Sequence, residues 1–396
     1  MSQSPPSAAV LRPRWQVASA LGATQIFSFG TSYYLLGVLG APIRAETGWS
    51  LEFLSAAQSI GMLVAGVAAP RVGRAIDKQG GRAPLAFGFV MFAIGLITMG
   101  LSTGRFTFIL GWALLGVGMG ASFYDGVFSA LGRAYGLRAR PAIATVTLWG
   151  GFASTVCWPL STVLIGPLGW RGVCFVYAAI HLCICVPLVW WSLKGGAQSA
   201  QPSERQVEEG ESASDSGVAF YLLMAVSVIA GLTMTIIFVH LISLLQARGL
   251  SLAAAVSIGT LLGPAQVGAR ALDMLVGSRY DPIWTLLVSL ALMAVGLLLF
   301  AGQAPTLALA VILFAAGNGV FSIVRGALPL SLFGQRRYAL VMGRLARPLF
   351  FAQALAPTIG AVLISTAGAD AAVWLIAVAV LVNLGVGVAL ARSARR

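Results

Sequence analysis

The chain reads as an all-α membrane protein with twelve transmembrane helices in two six-helix, pseudo-symmetric halves. Three observations lead there. The first is composition: 58% of the 396 residues are hydrophobic, only 9% are charged, and mean hydropathy is +0.90. A soluble domain carries about a quarter of its residues as charges, and so few cannot wet the outside of a globule this large. Lipid must cover much of it. The second is that the apolar runs are continuous and about twenty residues long, the length that crosses a bilayer as a helix. An outer-membrane barrel would alternate at period two instead. The third is an internal repeat: Pro84 and Pro282, and Pro159 and Pro357, both stand 198 residues apart, half the chain. Gly118-Met119-Gly120 is echoed by Gly317-Asn318-Gly319, and Arg138/Arg140 by Arg336/Arg337.

In chain order, the expected spans are 15–38, 51–71, 84–102, 106–131, 141–166 and 171–193, then 218–246, 251–275, 282–301, 305–330, 338–367 and 371–391. The run after Arg12 and Arg14 is too long for a signal peptide and is read as the first span. Residues 1–193 form the first half and 218–396 the second. Between them, 194–217 holds Glu204, Glu208, Glu209, Glu211 and Asp215 among Gly, Ser, Gln and Pro, the composition of a solvated linker. With the N-terminus inside, nineteen basic residues fall on the inner side and only Arg44, Arg105, Arg171 and Arg248 on the outer. That asymmetry predicts cytoplasmic termini and linker. It also accounts for the net charge of +13 without nucleic acid. The four cysteines lie inside apolar runs, so no disulfide framework is implied.

Between the second and third spans lies Gly73-Arg74-Ala75-Ile76-Asp77-Lys78-Gln79-Gly80-Gly81-Arg82, a charged, glycine-punctuated turn. It resembles the G-x-x-x-D-[RK]-x-G-[RG]-[RK] signature of the major facilitator superfamily, with Gly73, Asp77, Lys78, Gly80 and Arg82 matching. Gly268-Ala269-Arg270-Ala271-Leu272-Asp273 is a degraded echo in the second half. The resemblance implies the major facilitator fold, function as a monomer, and a latch. In that latch Asp77 meets the positive end of the helix beginning near Tyr338, with Arg133 close by. The bare alternative is a good polar turn.

Charge inside a bilayer is costly, so each buried ionisable group is a functional candidate. Of the twelve acids, Asp125 alone lies well inside a span. It is either a proton or substrate site or one member of a fixed ion pair, and the repeat sets Arg325 close to its counterpart position. Arg270 follows Gly263-Pro264-Ala265-Gln266-Val267-Gly268-Ala269, which is similar to the eighth helix of the monocarboxylate and oxalate-formate branches. There an arginine binds the substrate carboxylate, for which a planar guanidinium is suited. Those monocarboxylate carriers have an aspartate where this chain has Gln266. The other reading pairs Arg270 with Asp273 at the membrane edge. Arg347, some 15 Å of helix before Pro357, either faces the cavity or snorkels. Gln25, Ser28, Tyr33 and Tyr34 in the first span are further candidate contacts on the resemblance, the other reading of a tyrosine being an interface anchor. Trp149, Trp158 and Asn318 are candidate cavity lining that reads more simply as packing. His181 and His240 read as structural, and Cys183-x-Cys185 places its thiols about 200° apart on a helix, unsuited to one metal.

The resemblance implies a secondary transporter of a bacterial inner membrane with a small-molecule substrate, an organic anion such as a carboxylate, and a coupling proton; no cofactor is implied. The competing reading is an exporter of drugs or toxic compounds, including arsenicals, although the G-x-x-x-G-P-x-x-G-G pattern of antiporters is absent from the fifth span. No G-x-x-x-x-G-K-[ST], H-E-x-x-H or G-x-S-x-G occurs, which disfavours an ATPase, a metalloprotease or an acyl transferase.

Overall fold

The computed structural model describes residues 14–193, 217–276, 280–302 and 307–394. The expected linker therefore lies outside the described residues, except Gly217, as do Arg12, Lys194, Arg205, Arg279, Arg395 and Arg396.

The described residues are helical from end to end: α1 (Arg14–Gly30), α2 (Leu36–Thr47), α3 (Leu51–Gln79), α4 (Arg82–Gly100), α5 (Arg105–Ser122), α6 (Tyr124–Tyr135), α7 (Arg140–Gly150), α8 (Ala153–Ile180) and α9 (Val186–Ser192), then α10 (Val218–Ala247), α11 (Leu252–Gly259), α12 (Leu262–Val276), α13 (Pro282–Ala301), α14 (Leu307–Ala367) and α15 (Ala369–Ser393). A 3-10 turn at Gly136–Ala139 joins α6 to α7, and a π-helical turn at His181–Cys185 joins α8 to α9. In α8 the chain reverses at Gly169 (φ 63°), and in α14 at Gly334 (φ 70°), so each is two spans joined by a corner. Those backbone angles are open to glycine and strained for other residues. Conversely α1/α2, α5/α6, α7/α8 and α11/α12 are single spans interrupted by a break. Each of the twelve expected spans thus has a helical counterpart.

The repeat is visible in the corners. The positive-φ glycines Gly136 and Gly334 are 198 residues apart, and Gly169 and Gly368 are 199 apart. Ser50 caps α3 by accepting from the Phe53 N–H at 3.2 Å, and Ser251 caps α11 by accepting from the Ala254 N–H at 3.3 Å. Each follows a positive-φ glycine, Gly48 or Gly249, by two residues. Such caps satisfy amide groups that a helix start leaves without partners.

Packing follows membrane rules. With lipid outside, apolar surface gains little by leaving it, and close backbone approach decides which faces meet. A Cβ on Gly95 would lie 2.8 Å from the Gly111 carbonyl, and one on Gly296 would lie 2.7 Å from that of Ala310, so α4 meets α5, and α13 meets α14, through glycine. Large apolar side chains such as Phe87, Val288, Trp374 and Val382 remain exposed, a pattern suited to lipid and costly in water. One buried cluster runs from Val17 to Val189 and takes in Leu330, Tyr338, Met342, Ala346 and Phe350; two others lie wholly between residues 220 and 391. The first is where the halves meet.

The segment expected to be a turn at 73–82 is mostly helix. Helix α3 runs on through Gln79 and is ended by Gly80 (φ 84°). Its last turns are amphipathic: Gly73, Ile76 and Gly80 are buried while Arg71, Arg74 and Lys78 are exposed. A helix leaving the bilayer keeps its period of 3.6 and changes only its outer face.

Candidate functional site

Three broken spans of the first half converge on the second half, and each break frees backbone carbonyls that must find donors. Helix α5 stops at Ser122, Phe123 is extended, and α6 restarts at Tyr124. Gln25 Nε2 donates to the freed Ser122 carbonyl at 2.9 Å. Between α1 and α2, the Tyr33 carbonyl accepts from Gln58 Nε2 at 2.9 Å and that of Tyr34 from Trp158 Nε1 at 3.2 Å. Thr31 in the same break shares a 2.8 Å hydrogen bond with His181 Nε2. Near the α7/α8 break, the Thr147 carbonyl keeps its bond from the Gly151 N–H at 3.1 Å and also accepts from Arg270 Nη1 at 3.0 Å.

The α5/α6 break presents Asp125, which is 4% exposed. Its Oδ2 forms a salt bridge with Arg325 of α14, while its Oδ1 is buried with no hydrogen-bond partner among the described residues. Tyr338, beyond the Gly334 corner, lies within electrostatic reach of both and donates its hydroxyl to the Gly326 carbonyl at 2.6 Å. Asp125 and Arg325 are thus brought together across the two halves.

Arg270 of α12 is 5% exposed and is met differently. Its Nε donates to Ser322 Oγ at 3.1 Å and the Gly319 carbonyl at 3.3 Å, its Nη1 to the Thr147 carbonyl, and its Nη2 to Gln266 Oε1 at 3.2 Å. All four acceptors are neutral. Glycine makes room on both sides. A Cβ on Gly151 would lie 2.7 Å from Nη1, and one on Gly319 would lie 2.6 Å from the Gln266 carbonyl. The edge pairing with Asp273 is not formed; Asp273 lies instead within electrostatic reach of Arg140, which donates to Thr285 Oγ1 at 3.0 Å.

Aromatic residues border this guanidinium. Tyr34 lies within electrostatic reach of Arg270, Tyr33 and Tyr124; its ring stands edge-on to Tyr33 at 5.3 Å and to Trp158 at 6.2 Å between centroids. Thr235 of α10 sits beside the Tyr33 hydroxyl. Asn318 is buried in α14 next to Gly319. Arg347 is set apart: it is exposed, with its guanidinium 5.7 Å from the centre of the Phe351 ring. His240 Nε2 bonds the Pro357 carbonyl at 2.9 Å, and Cys183 is exposed where Cys185 is buried.

At the motif, Gly73 packs on the second limb of α14: a Cβ there would lie 2.5 Å from the Ala339 carbonyl and 3.2 Å from the Gly343 Cα. Arg133 donates to the backbone carbonyl of Asp77, and its own carbonyl accepts from Gln335 Nε2 at 2.7 Å. Arg133, Arg336 and Lys78 are all within electrostatic reach of the Asp77 carboxylate. Arg82 lies with its guanidinium 3.9 Å from the centre of the Trp190 ring. The halves are therefore closed against each other at the end that carries the motif.

Sequence reasoning passed over Tyr124, Thr147 and Ser322. Tyr124 was legible as the neighbour of Asp125; Thr147 acts through a backbone carbonyl, which every residue has.

The arrangement is that of a multi-pass helical membrane transporter rather than an enzyme, two pseudo-symmetric halves meeting over a few charged and aromatic groups. The chain belongs to the major facilitator superfamily, whose family model matches residues 21–277. Its fold is similar to the human organic anion transporter MFSD10 (TETRAN), at TM-score 0.72 and 16% identity over 97% of this chain and 100% of that one. It is likewise similar to FucP in the outward conformation (TM-score 0.70, 12% identity, 96% and 99% covered). The proton:xylose symporter XylE, bound to 6-bromo-6-deoxy-D-glucose, matches at TM-score 0.72 and 13% identity, with 94% of each chain covered. At these identities the likeness is one of fold. No curated protein matches the sequence.

Proposed function

We propose that the protein moves a small organic anion, a carboxylate, across the membrane by alternating access, and that Asp125 carries a coupling proton. The observation behind this reading is Arg270: a buried guanidinium between the halves, with four neutral acceptors and, among the described residues, no carboxylate on it. A buried charge without a counter-charge is costly, and a substrate anion would supply one. Gln25, Tyr33, Tyr34 and Asn318 lie on the spans expected to line the route; Arg325 serves as the partner that Asp125 leaves when it takes a proton. Arg347, on an exposed face, is a weaker candidate. Two of the structural neighbours are described as transporters of organic anions or as proton-coupled. The same reading takes 1–193 and 218–396 as the moving halves, 194–217 as a cytoplasmic linker, and the inner membrane of a bacterium as the location. A cysteine at Ser214 should then stay unlabelled by an impermeant reagent outside intact cells.

One observation favours the exporter reading: the aromatic border of Tyr33, Tyr34, Tyr124 and Trp158 suits flat apolar compounds. A thermal-shift screen of purified protein against carboxylates, drugs, arsenicals and sugars separates the two, because a ligand that binds the folded state stabilises it by mass action. Stabilisation by carboxylates that disappears in Arg270→Met supports the proposal. Stabilisation by neutral or cationic drugs, unchanged in that variant, would replace it.

A further inference from the structure

Arg270 joins the halves as well as facing their interface. It belongs to α12, yet Nη1 donates to the Thr147 carbonyl of α7 at 3.0 Å. A guanidinium has five N–H donors. Nε–H is shared between Gly319 and Ser322, one N–H of Nη1 serves Thr147, and one of Nη2 serves Gln266. Each terminal nitrogen keeps one further N–H. The two are not equally placed. The space beside Nη1 is occupied by the α7/α8 break, where even a methyl on Gly151 would come within 2.7 Å of Nη1 and 2.9 Å of Val267 Cγ2. A carboxylate can therefore take bonds from both terminal nitrogens only when α7 withdraws from α12.

We propose that the anion site at Arg270 is incomplete while the motif end is closed, and that the substrate carboxylate completes it by parting α7 from α12. This rests on the carboxylate reading of Arg270. A ligand shifts a conformational equilibrium only by binding one state better, and the second charge-assisted bond is that difference. Arg270 is then a strut in the empty protein and a receptor in the loaded one. The carboxylate replaces the Thr147 carbonyl on the guanidinium as the halves move.

The test is hydrogen exchange of the purified full chain, following peptides over 140–150 and 262–276, without ligand and with sodium benzoate, pyruvate or oxalate. A carboxylate that raises the melting temperature should also raise exchange over 140–150. Arg270→Met, which removes the strut, should show exchange raised by about tenfold without ligand, from the usual worth of a hydrogen bond to a charged group, and no response to carboxylate. Arg270→Lys, which keeps the charge, guards against misfolding of the methionine variant and should fall between. A carboxylate that stabilises the protein while exchange over 140–150 stays flat or drops would overturn the coupling and leave the carboxylate reading standing. No stabilisation by any carboxylate would remove both. Unchanged ligand-free exchange in Arg270→Met would by itself dismiss the strut.

Discussion

Arg325 and Arg270 both lie between the halves, and the protein treats them in opposite ways. Arg325 has an acid: its salt bridge to Asp125 closes one charge upon another, with the carboxylate 4% exposed. Arg270, 5% exposed, has among the described residues two backbone carbonyls, a hydroxyl and an amide. Both are donated across from the second half, and both sit beside a break in a helix of the first. The difference teaches that depth alone does not assign a role. A paired charge is complete and must be broken to act, whereas an unpaired one is complete only with a visitor. On this account Arg325 belongs to the coupling machinery and Arg270 to the substrate.

The largest effect should come from breaking the pair. Arg325→Met leaves Asp125 buried and alone, which typically costs about 3–5 kcal/mol, whereas Asp125→Asn combined with Arg325→Met should recover most of it. Arg270→Met leaves only neutral acceptors behind and should cost less, about 1–3 kcal/mol. Melting temperatures of the purified variants check this; equal losses at the two arginines would erase the contrast. Next in size is substrate affinity. Arg270→Lys keeps the charge but loses the planar fork, so carboxylate binding should weaken by about 1–2 kcal/mol, roughly tenfold in Kd by titration. A neutral substrate would lose nothing.

The smallest effect concerns the closed end. Asp77→Asn removes a carboxylate among Arg133, Arg336 and Lys78 near a helix start, an interaction worth about 0.3–1 kcal/mol. The variant should reach the membrane normally and shift the balance of inward and outward accessibility only a few-fold. Cysteine labelling on the two sides reads that balance, and wild-type accessibility together with wild-type transport rate would dismiss the latch.

Much of this was legible beforehand, for identifiable reasons. Apolar runs of fixed length mark spans whatever their packing, and the 198-residue repeat reappears in corners such as Gly136 and Gly334. Asp125 stood out because it is the single acid well inside a span, and the repeat set Arg325 near its counterpart. The end of α3 was misread as a turn because charge and glycine mark both a loop and the wet end of a helix. Depth along a span says nothing about facing, so Arg347 looked like Arg270 in sequence although it lies on an exposed face. The acceptors on Arg270 were hidden for a different reason. Two of them are backbone carbonyls, brought near by Gly151 and Gly319, and a glycine in sequence does not say what it lets in.

The contrast between the two arginines is tested most directly by transport in proteoliposomes, comparing uptake driven by a pH gradient with counterflow between preloaded compartments. With a carboxylate identified by thermal shift, Asp125→Asn should lose accumulation driven by the gradient and keep counterflow. Arg270→Lys should weaken both together, by the affinity it has lost. If Asp125→Asn accumulates the substrate as the wild type does, the Asp125–Arg325 pair is only a structural bond and the proton travels elsewhere.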